Sequence, residues 1–258
     1  PPTRPLASEP GSGGVSRLTP LTGAFHRAGL AGHVTRCGGR MSFGAGEAWQ
    51  GFPLRDDVAV MSEDVIMSKV MLDISMSLDG LIAQPDDDPG PIQEFLFSGE
   101  TEHDGIFRTS GATTEVFREF IDSAGAVITG RRTYDVTNGW EGNHPMRVPC
   151  FVVTHDVPTD VPDGPTQFTY VTDGIDSAVR QAKAVAGEKD VSIMGGASIA
   201  RQALEAKLLD EIQIHLSPVI LGNGIRLFDG LDTGQIRLEQ LRVIEAPGVT
   251  HLKYAVQN

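Results

Sequence analysis

The sequence predicts an α/β fold in which a mainly parallel central sheet is covered by helices and ends in an antiparallel C-terminal hairpin. Three observations predict it. From Lys69 to Ala206, strand-like and helix-like runs alternate, the order that parallel strands with helical crossovers require. After Asp210 the strand-like runs follow one another without a helix. Glycine and polar residues recur where strands give way to the next segment, which is where open α/β sheets bind ligands.

The first element is "KVMLDISMSLDGLIA", in which Val70, Leu72, Ile74, Met76 and Leu78 alternate with Asp73, Ser75, Ser77 and Asp79. Period two marks a strand, and its polar side reads either as a solvated edge or as one wall of a pocket. Residues 85–111 show no period and read as a long loop, a feature that often serves function. "TTEVFREFIDSAG" spaces Val116, Phe117, Phe120, Ile121 and Ala124 as a helix does and stops at Gly125 as a C-cap. Ala126–Thr129 is a short strand leading into Gly130, Arg131, Arg132, Thr133 and Tyr134. "CFVVTH", Cys150–His155, and "QFTYV" are further strands. Ile175, Ala178, Val179, Ala182 and Val185 mark a helix opened by Asp173 or Asp176 and closed by Gly187. Val191–Met194 is a strand, Gly195 and Gly196 intervene, and Ser198–Ala206 is a helix. In "EIQIHLSPVIL", Ile212, Ile214 and Leu216 alternate with Glu211, Gln213 and His215, a half-buried strand. Strands near 236–244 and 250–256 close the chain as a hairpin.

Residues 1–66 differ from all this. They contain no lysine, are rich in Gly, Pro, Ser and Arg, and show no period. They are expected to be a disordered or spurious extension ahead of a domain over 67–258, with Met61 and Met67 as alternative starts. A transit peptide is the rival reading, disfavoured because Gly and Pro at this density oppose an amphipathic helix.

The formal charge of −13 over 258 residues and a pI near 4.9 disfavour nucleic acid and anionic membrane as partners, since phosphate contacts need clustered cations. A small molecule is the expected partner and the cytoplasm the expected location. Cys37 and Cys150 are expected as free thiols. No G-x-S-x-G elbow, H-x-x-x-H pair or Walker A sequence is present, which argues against a serine hydrolase, a metal hydrolase and a P-loop enzyme.

What remains is three strand ends with one chemistry. Gly130, Arg131, Arg132 and Thr133 follow one strand, Thr154 and His155 another, and Gly195, Gly196, Ala197 and Ser198 a third. Helix starts expose unpaired amides and a positive dipole end, glycine lets a pyrophosphate approach, and paired arginines suit a 2′-phosphate. Each feature alone is commonly a turn or a solvated face; together they suggest one nucleotide site.

With "MSLDGLIA", "VITGRRTYD", "VVTH", "IMGGASIARQAL" and "DEIQIHLSPVILGNGIRLF" in this order, residues 69–258 resemble the dihydrofolate reductase superfamily, and within it the reductase domain of bacterial riboflavin biosynthesis. The resemblance implies a three-layer fold and an NADPH-dependent reductase acting on a small heterocyclic or ribityl-type substrate. It implies adenosine-phosphate contacts at Gly130 to Thr133, ribose contacts at Thr154 and His155, a pyrophosphate loop over Gly195, Gly196, Ala197, Ser198 and Ile199, and a loop over the nicotinamide beginning at Ser77 to Ala83. By the same resemblance the first strand borders the substrate. Asp73 is then the candidate anchor or proton donor with Glu115 as its competitor, and Ser75, Ser77 and Asp79 are candidate substrate contacts. A zinc-deaminase pattern is missing, and the acidic stretch 85–111 has no counterpart in the family. The rival reading is a noncatalytic NADPH-binding protein of the same fold. A homodimer through the C-terminal hairpin is a further expectation by analogy.

Overall fold

The structure, a computed structural model, describes residues 68–103 and 106–257. The expectations for residues 1–66 and for Cys37 lie outside the described residues. In chain order the elements are β1 (Val70–Ser77), β2 (Leu81–Ala83), a 3₁₀ helix (Gly90–Leu96), β3 (Thr101–His103), β4 (Phe107–Thr109), α1 (Ala112–Ser123), β5 (Ala124–Gly130) and α2 (Arg131–Val136). Then come β6 (Cys150–Val153), β7 (Phe168–Val171), α3 (Ile175–Ala186), β8 (Asp190–Met194), α4 (Ala197–Glu205), β9 (Glu211–Ser217), β10 (Ile225–Arg226), β11 (Arg237–Ala246) and β12 (Val249–Gln257).

Eight strands form one sheet in the order β11-β12-β9-β1-β8-β5-β6-β7. The pairs from β9 through to β7 are parallel, and β12 and β11 add antiparallel strands at one edge. Alternation along β1 divides the core between the two faces of this sheet. Val70, Leu72 and Ile74 join Ala178, Val179 and Ala182 of α3 and Ala200 and Ala203 of α4 in one apolar cluster. On the other face Met71 joins Phe120 of α1, Tyr134 of α2 and Cys150. Helices on both faces of one sheet make three layers. Full burial of a side chain such as Leu72 contributes about 1.5–3 kcal/mol.

Several local expectations are corrected. β1 ends at Ser77, so Leu78 leaves the apolar phase and is exposed. Residues 85–111 are not a featureless loop: Pro and Gly at 89–91 start a 3₁₀ helix, and β3 pairs with β4 as a small hairpin. Gly125 is not a C-cap, because α1 passes directly into β5 at Ala124. A Cβ at Gly125 would stand 2.8 Å from the Ala186 Cα, so what excludes a side chain there is helix–strand packing. Neither Asp173 nor Asp176 caps α3, whose N-cap is Gly174, without a side-chain cap. Gly187 does close it, at φ 65. β6 stops at Val153, leaving Thr154 and His155 beyond the strand. Among the described residues no helix is long and apolar enough to cross a membrane.

Candidate active site

A cavity of about 1220 Å³ runs along the carboxyl ends of β1, β5, β6 and β8. That is more than a small ligand needs, and is room for a dinucleotide together with a second molecule. Three of its walls are the strand ends singled out above. Gly130, Arg131, Arg132 and Thr133 line it where β5 becomes α2, Thr154 and His155 line it after β6, and Gly195 to Ile199 line it where β8 becomes α4. Ala83 at the end of β2 lines it as well. These residues lie far apart in the chain, and parallel pairing of β8, β5 and β6 brings them to one edge.

The contact between Gly195 and Thr133 is close. Gly195 has φ +67, and a Cβ there would lie 2.8 Å from Thr133 Cγ2. Gly196 has φ +81 and precedes α4 without a side-chain cap. The first amides of a helix have no partner within it, so the backbone after Gly196 presents donors to the cavity. The two arginines are held differently. Arg131 donates to Asp135 at 2.7 Å and to the Asp156 carbonyl at 2.8 Å, while Arg132 pairs with Asp87 at 2.6 Å. A bare glycine cradle, an uncapped helix start and two guanidinium groups are donors and open backbone of the kind that suits phosphate oxygens.

The same cavity is also lined by a buried polar chain. Asp73 accepts from Gln213 Nε2 at 2.9 Å, and its oxygens stand 3.2 and 3.3 Å from His215 Nε2. His215 Nδ1 lies 2.7 Å from His251 Nδ1, and His251 Nε2 lies 3.0 Å from Thr113 Oγ1. Strand register produces this set: Asp73 is opposite Gln213, Ser75 is opposite His215, and His215 is opposite His251. Burial pushes His251 down to about 4, with the neighbouring His215 acting the same way, so His251 is neutral at pH 7. With Asp73 ionised, the contacts are satisfied either with His215 protonated, donating from both ring nitrogens while His251 Nε2–H donates to the Thr113 hydroxyl, or with His215 neutral in the following way. His215 donates from Nε2 to Asp73 and accepts at Nδ1 from His251 Nδ1–H, and His251 accepts at Nε2 from the Thr113 hydroxyl.

Three of the proposed residues are not in this site. Glu115 is exposed on α1, because Thr113, Val116 and Phe117 occupy the helix face that lines the cavity. Ser77 is buried below it, accepting from the Leu81 amide and donating to Asp79. Asp79 ties the turn after β1 to the 221–222 backbone, accepting from the Leu221 and Gly222 amides at 3.1 and 2.8 Å. The Ser77 hydroxyl and these amides hold its carboxyl down at about 2. Asp73 and Ser75 are buried and do line the cavity.

The model of the RibD C-terminal domain matches residues 68–252 of this chain. The chain belongs to the RibD C-terminal domain family. The Bacillus subtilis protein YwjB, itself uncharacterized, is 29% identical over 164 residues, covering 63% of this chain and 84% of YwjB. A Shewanella sp. PV-4 protein provisionally ascribed to riboflavin biosynthesis superposes with a TM-score of 0.58 at 21% identity, over 74% of this chain and 99% of its own. The Thermotoga maritima diaminohydroxyphosphoribosylaminopyrimidine deaminase/5-amino-6-(5-phosphoribosylamino)uracil reductase gives 0.52 at 14% identity, over 74% of this chain and 57% of its own. At these identities the likeness is one of fold, the mainly parallel three-layer architecture expected from the resemblance.

Within this RibD C-terminal domain, sequence reasoning missed Gln213, His215, His251 and Thr113. A signal was present: Asp73 and Ser75 in β1 and Gln213 and His215 in β9 have the same polar phase in two neighbouring strands. Both phases are buried rather than solvated. Glu211, which shares the β9 phase, is also buried and meets Lys69 Nζ at 2.6 Å and Lys253 Nζ at 2.9 Å. The aromatic walls were missed as well. Phe95 of the 3₁₀ helix packs on both His215 and His251, and His103 and Phe107 of the hairpin pack on Phe117. Trp140 meets His144 edge to face in a left-handed turn in which Asn138, Trp140 and Glu141 all have φ near 50. Positive φ costs non-glycine residues roughly 1–2 kcal/mol each, and such strain tends to gather at functional sites.

Proposed function

We propose that this protein is an NADPH-dependent reductase transferring a hydride to a small heterocyclic or ribityl-type substrate. The observation that carries the reading is one cavity lined both by glycine- and arginine-bearing strand ends and by a buried carboxylate hydrogen-bonded to histidine. NADPH, held by the strand-end residues, would supply the hydride. The chain's own residues then have definable tasks. The amides after Gly196 and the guanidinium groups of Arg131 and Arg132 hold phosphate oxygens, and the open backbone of Gly195 lets them come close. Asp73 accepts a hydrogen bond from the substrate. The proton needed by the atom that becomes basic comes from the Asp73–His215 pair when the pair carries one proton beyond a carboxylate and a neutral imidazole, and the pair regains it from solvent, while His251 and Thr113 hold the His215 ring and so act as positioning residues. Membership of a family with reductase-like structural neighbours supports the same chemistry.

The rival reading is cofactor binding without catalysis. It gains if Asp73, Ser75 and Glu115 all point away from the cavity; Glu115 stands outside it, but Asp73 and Ser75 line it, which favours the enzyme. Two measurements test the proposal. Fluorescence titration with NADPH and NADH is expected to show saturable binding with NADPH preferred, and no NADPH binding would sink it. In a reductase screen over pterins, pyrimidines and small carbonyl compounds, Asp73→Asn is expected to lower turnover about 10²–10⁴-fold while leaving NADPH affinity intact. Full turnover in that variant overturns the role given to Asp73.

A further inference from the structure

Resting on the reductase reading, we propose that His144 is a substrate-contacting residue whose Nε2–H donates a hydrogen bond to a carbonyl oxygen of the bound molecule. Among the described residues, five buried side-chain polar atoms lack a hydrogen-bond partner: Ser68 Oγ, Thr129 Oγ1, His144 Nε2, Ser192 Oγ and Thr233 Oγ1. Of these five residues only His144 lines the cavity. A buried donor left unpaired costs free energy, so an acceptor brought in by a ligand stabilises the complex more here than on a wall whose polar groups are already satisfied. His144 is itself only 1% exposed, so that acceptor reaches it from the cavity.

The ring is held so that this nitrogen carries the hydrogen. The Met146 amide donates to His144 Nδ1 at 3.2 Å, which makes Nδ1 the acceptor and leaves the N–H of a neutral imidazole on Nε2. Burial pushes the ring down to about 4, so at pH 7 it is neutral, a donor and not an acid. The proton source therefore stays with Asp73 and His215, and His144 decides which molecule fits. Its backbone is fixed on both sides: the His144 amide donates to Thr166 Oγ1 at 2.7 Å, and its carbonyl accepts from the Arg147 amide at 2.9 Å.

The sheet places this donor on the same face as the buried carboxylate. Asp73 has the phase of Met71, and Met71 packs in one cluster with Phe120 and Met146. Met194, opposite Asp73 in the register, and Trp140 pack against that cluster. α4, which carries the amides after Gly196, packs on the other face through Ile199 and Ala200. His144 thus meets the molecule bordered by Asp73, not the phosphates held at the start of α4. Nε2 is closed to solvent. The Trp140 indole, half-buried on the cavity wall and edge to face with the ring at 4.3 Å, is the group that shifts to admit the acceptor. It stands in the left-handed turn, whose strain makes that segment the one that yields.

The test is calorimetric titration of the full chain, with and without saturating NADPH, using uracil and 2,4-dithiouracil. These probes have nearly the same shape, but sulfur accepts a hydrogen bond more weakly than oxygen. The native protein is expected to bind uracil about tenfold more tightly. His144→Asn keeps an acceptor near Nδ1 for the Met146 amide but does not reach the position of Nε2; it is expected to lose the preference with NADPH affinity unchanged. His144→Gln keeps a donor near Nε2 but gives up the Nδ1 acceptor; it is expected to retain the preference. A merely structural role requires the reverse, with Asn tolerated and Gln damaging. An undiminished preference in His144→Asn overturns the proposal, and so does equal binding of the two probes, or binding of neither, by the native protein. Should a variant fail to fold, nitrogen-15 spectra of the native chain decide. His144 is expected as the Nε2–H tautomer with a signal that moves on adding uracil, and an Nδ1–H tautomer or an unmoved signal overturns its role. Failure of NADPH to bind in its own titration defeats the reductase reading, while the two probes without NADPH still decide the role of His144.

Discussion

Arg132 meets Asp87 through a largely exposed guanidinium, so any phosphate that binds it must compete with a carboxylate. Arg132→Ala is expected to weaken NADPH about tenfold or more and NADH little, because only the former carries the extra phosphate; equal losses in a fluorescence titration would mean the 2′-phosphate lies elsewhere. His144 and His251 set an acid limit. Each is lowered from 6.5 to about 4 in the folded protein by burial, so between these values the unfolded chain binds more protons. Their contribution to stability is therefore complete above about pH 6.5 and is lost as pH falls towards 4. Thermal unfolding across that window should show a falling midpoint, and the fall should be shallower in His144→Gln. An unchanged slope would show that His144 protonates as easily folded as unfolded. The arginines and glycines were legible as residue types with known chemistry. Neither the partner of Arg132 nor the neutrality of the histidines was, since both depend on neighbours distant in the chain.

At the scale of elements, Gly195 joins the start of α4 to the start of α2. Gly195→Ala puts a side chain on a residue at φ +67 and directs it against Thr133. The backbone alone costs roughly 1–2 kcal/mol, so a lower melting temperature and weaker NADPH binding are expected. Thr133→Ala removes the atoms that crowd that Cβ, so the double variant should regain part of the stability; a strictly additive loss in a double-mutant cycle would refute the contact. Periodicity made β1, α1, α3, β8, α4, β9 and the closing hairpin legible, because each buries one face and exposes the pattern of that burial. It did not reveal β2, β3, β4, β10 or the 3₁₀ helix. These are too short for a period to develop, and β2 and β10 pair only with each other. Nor did it reveal that the polar phases of β1 and β9 are one buried set, since a polar alternation reads alike for solvent and for a pocket.

At the scale of the molecule, β11 is an edge strand of the eight-stranded sheet and leaves Leu238, Leu241 and Val243 more than two-fifths exposed. Apolar edges of this kind call for cover. The expected cover is a second copy, giving a mass by light scattering of twice 27.6 kDa, and Leu241→Lys should shift the species towards monomer. A monomeric native protein would refute it. By itself the sequence determined the order of strands and helices and the residue types at three strand ends, because periodicity and backbone chemistry are local. Tertiary structure alone decided that Asp73, Gln213, His215, His251 and Thr113 form one chain, and that Glu115, Ser77 and Asp79 stand outside the cavity. Those facts follow from strand register and helix rotation, which bring residues such as Asp73 and His215, 142 positions apart, within hydrogen-bond distance and leave no trace in local spacing.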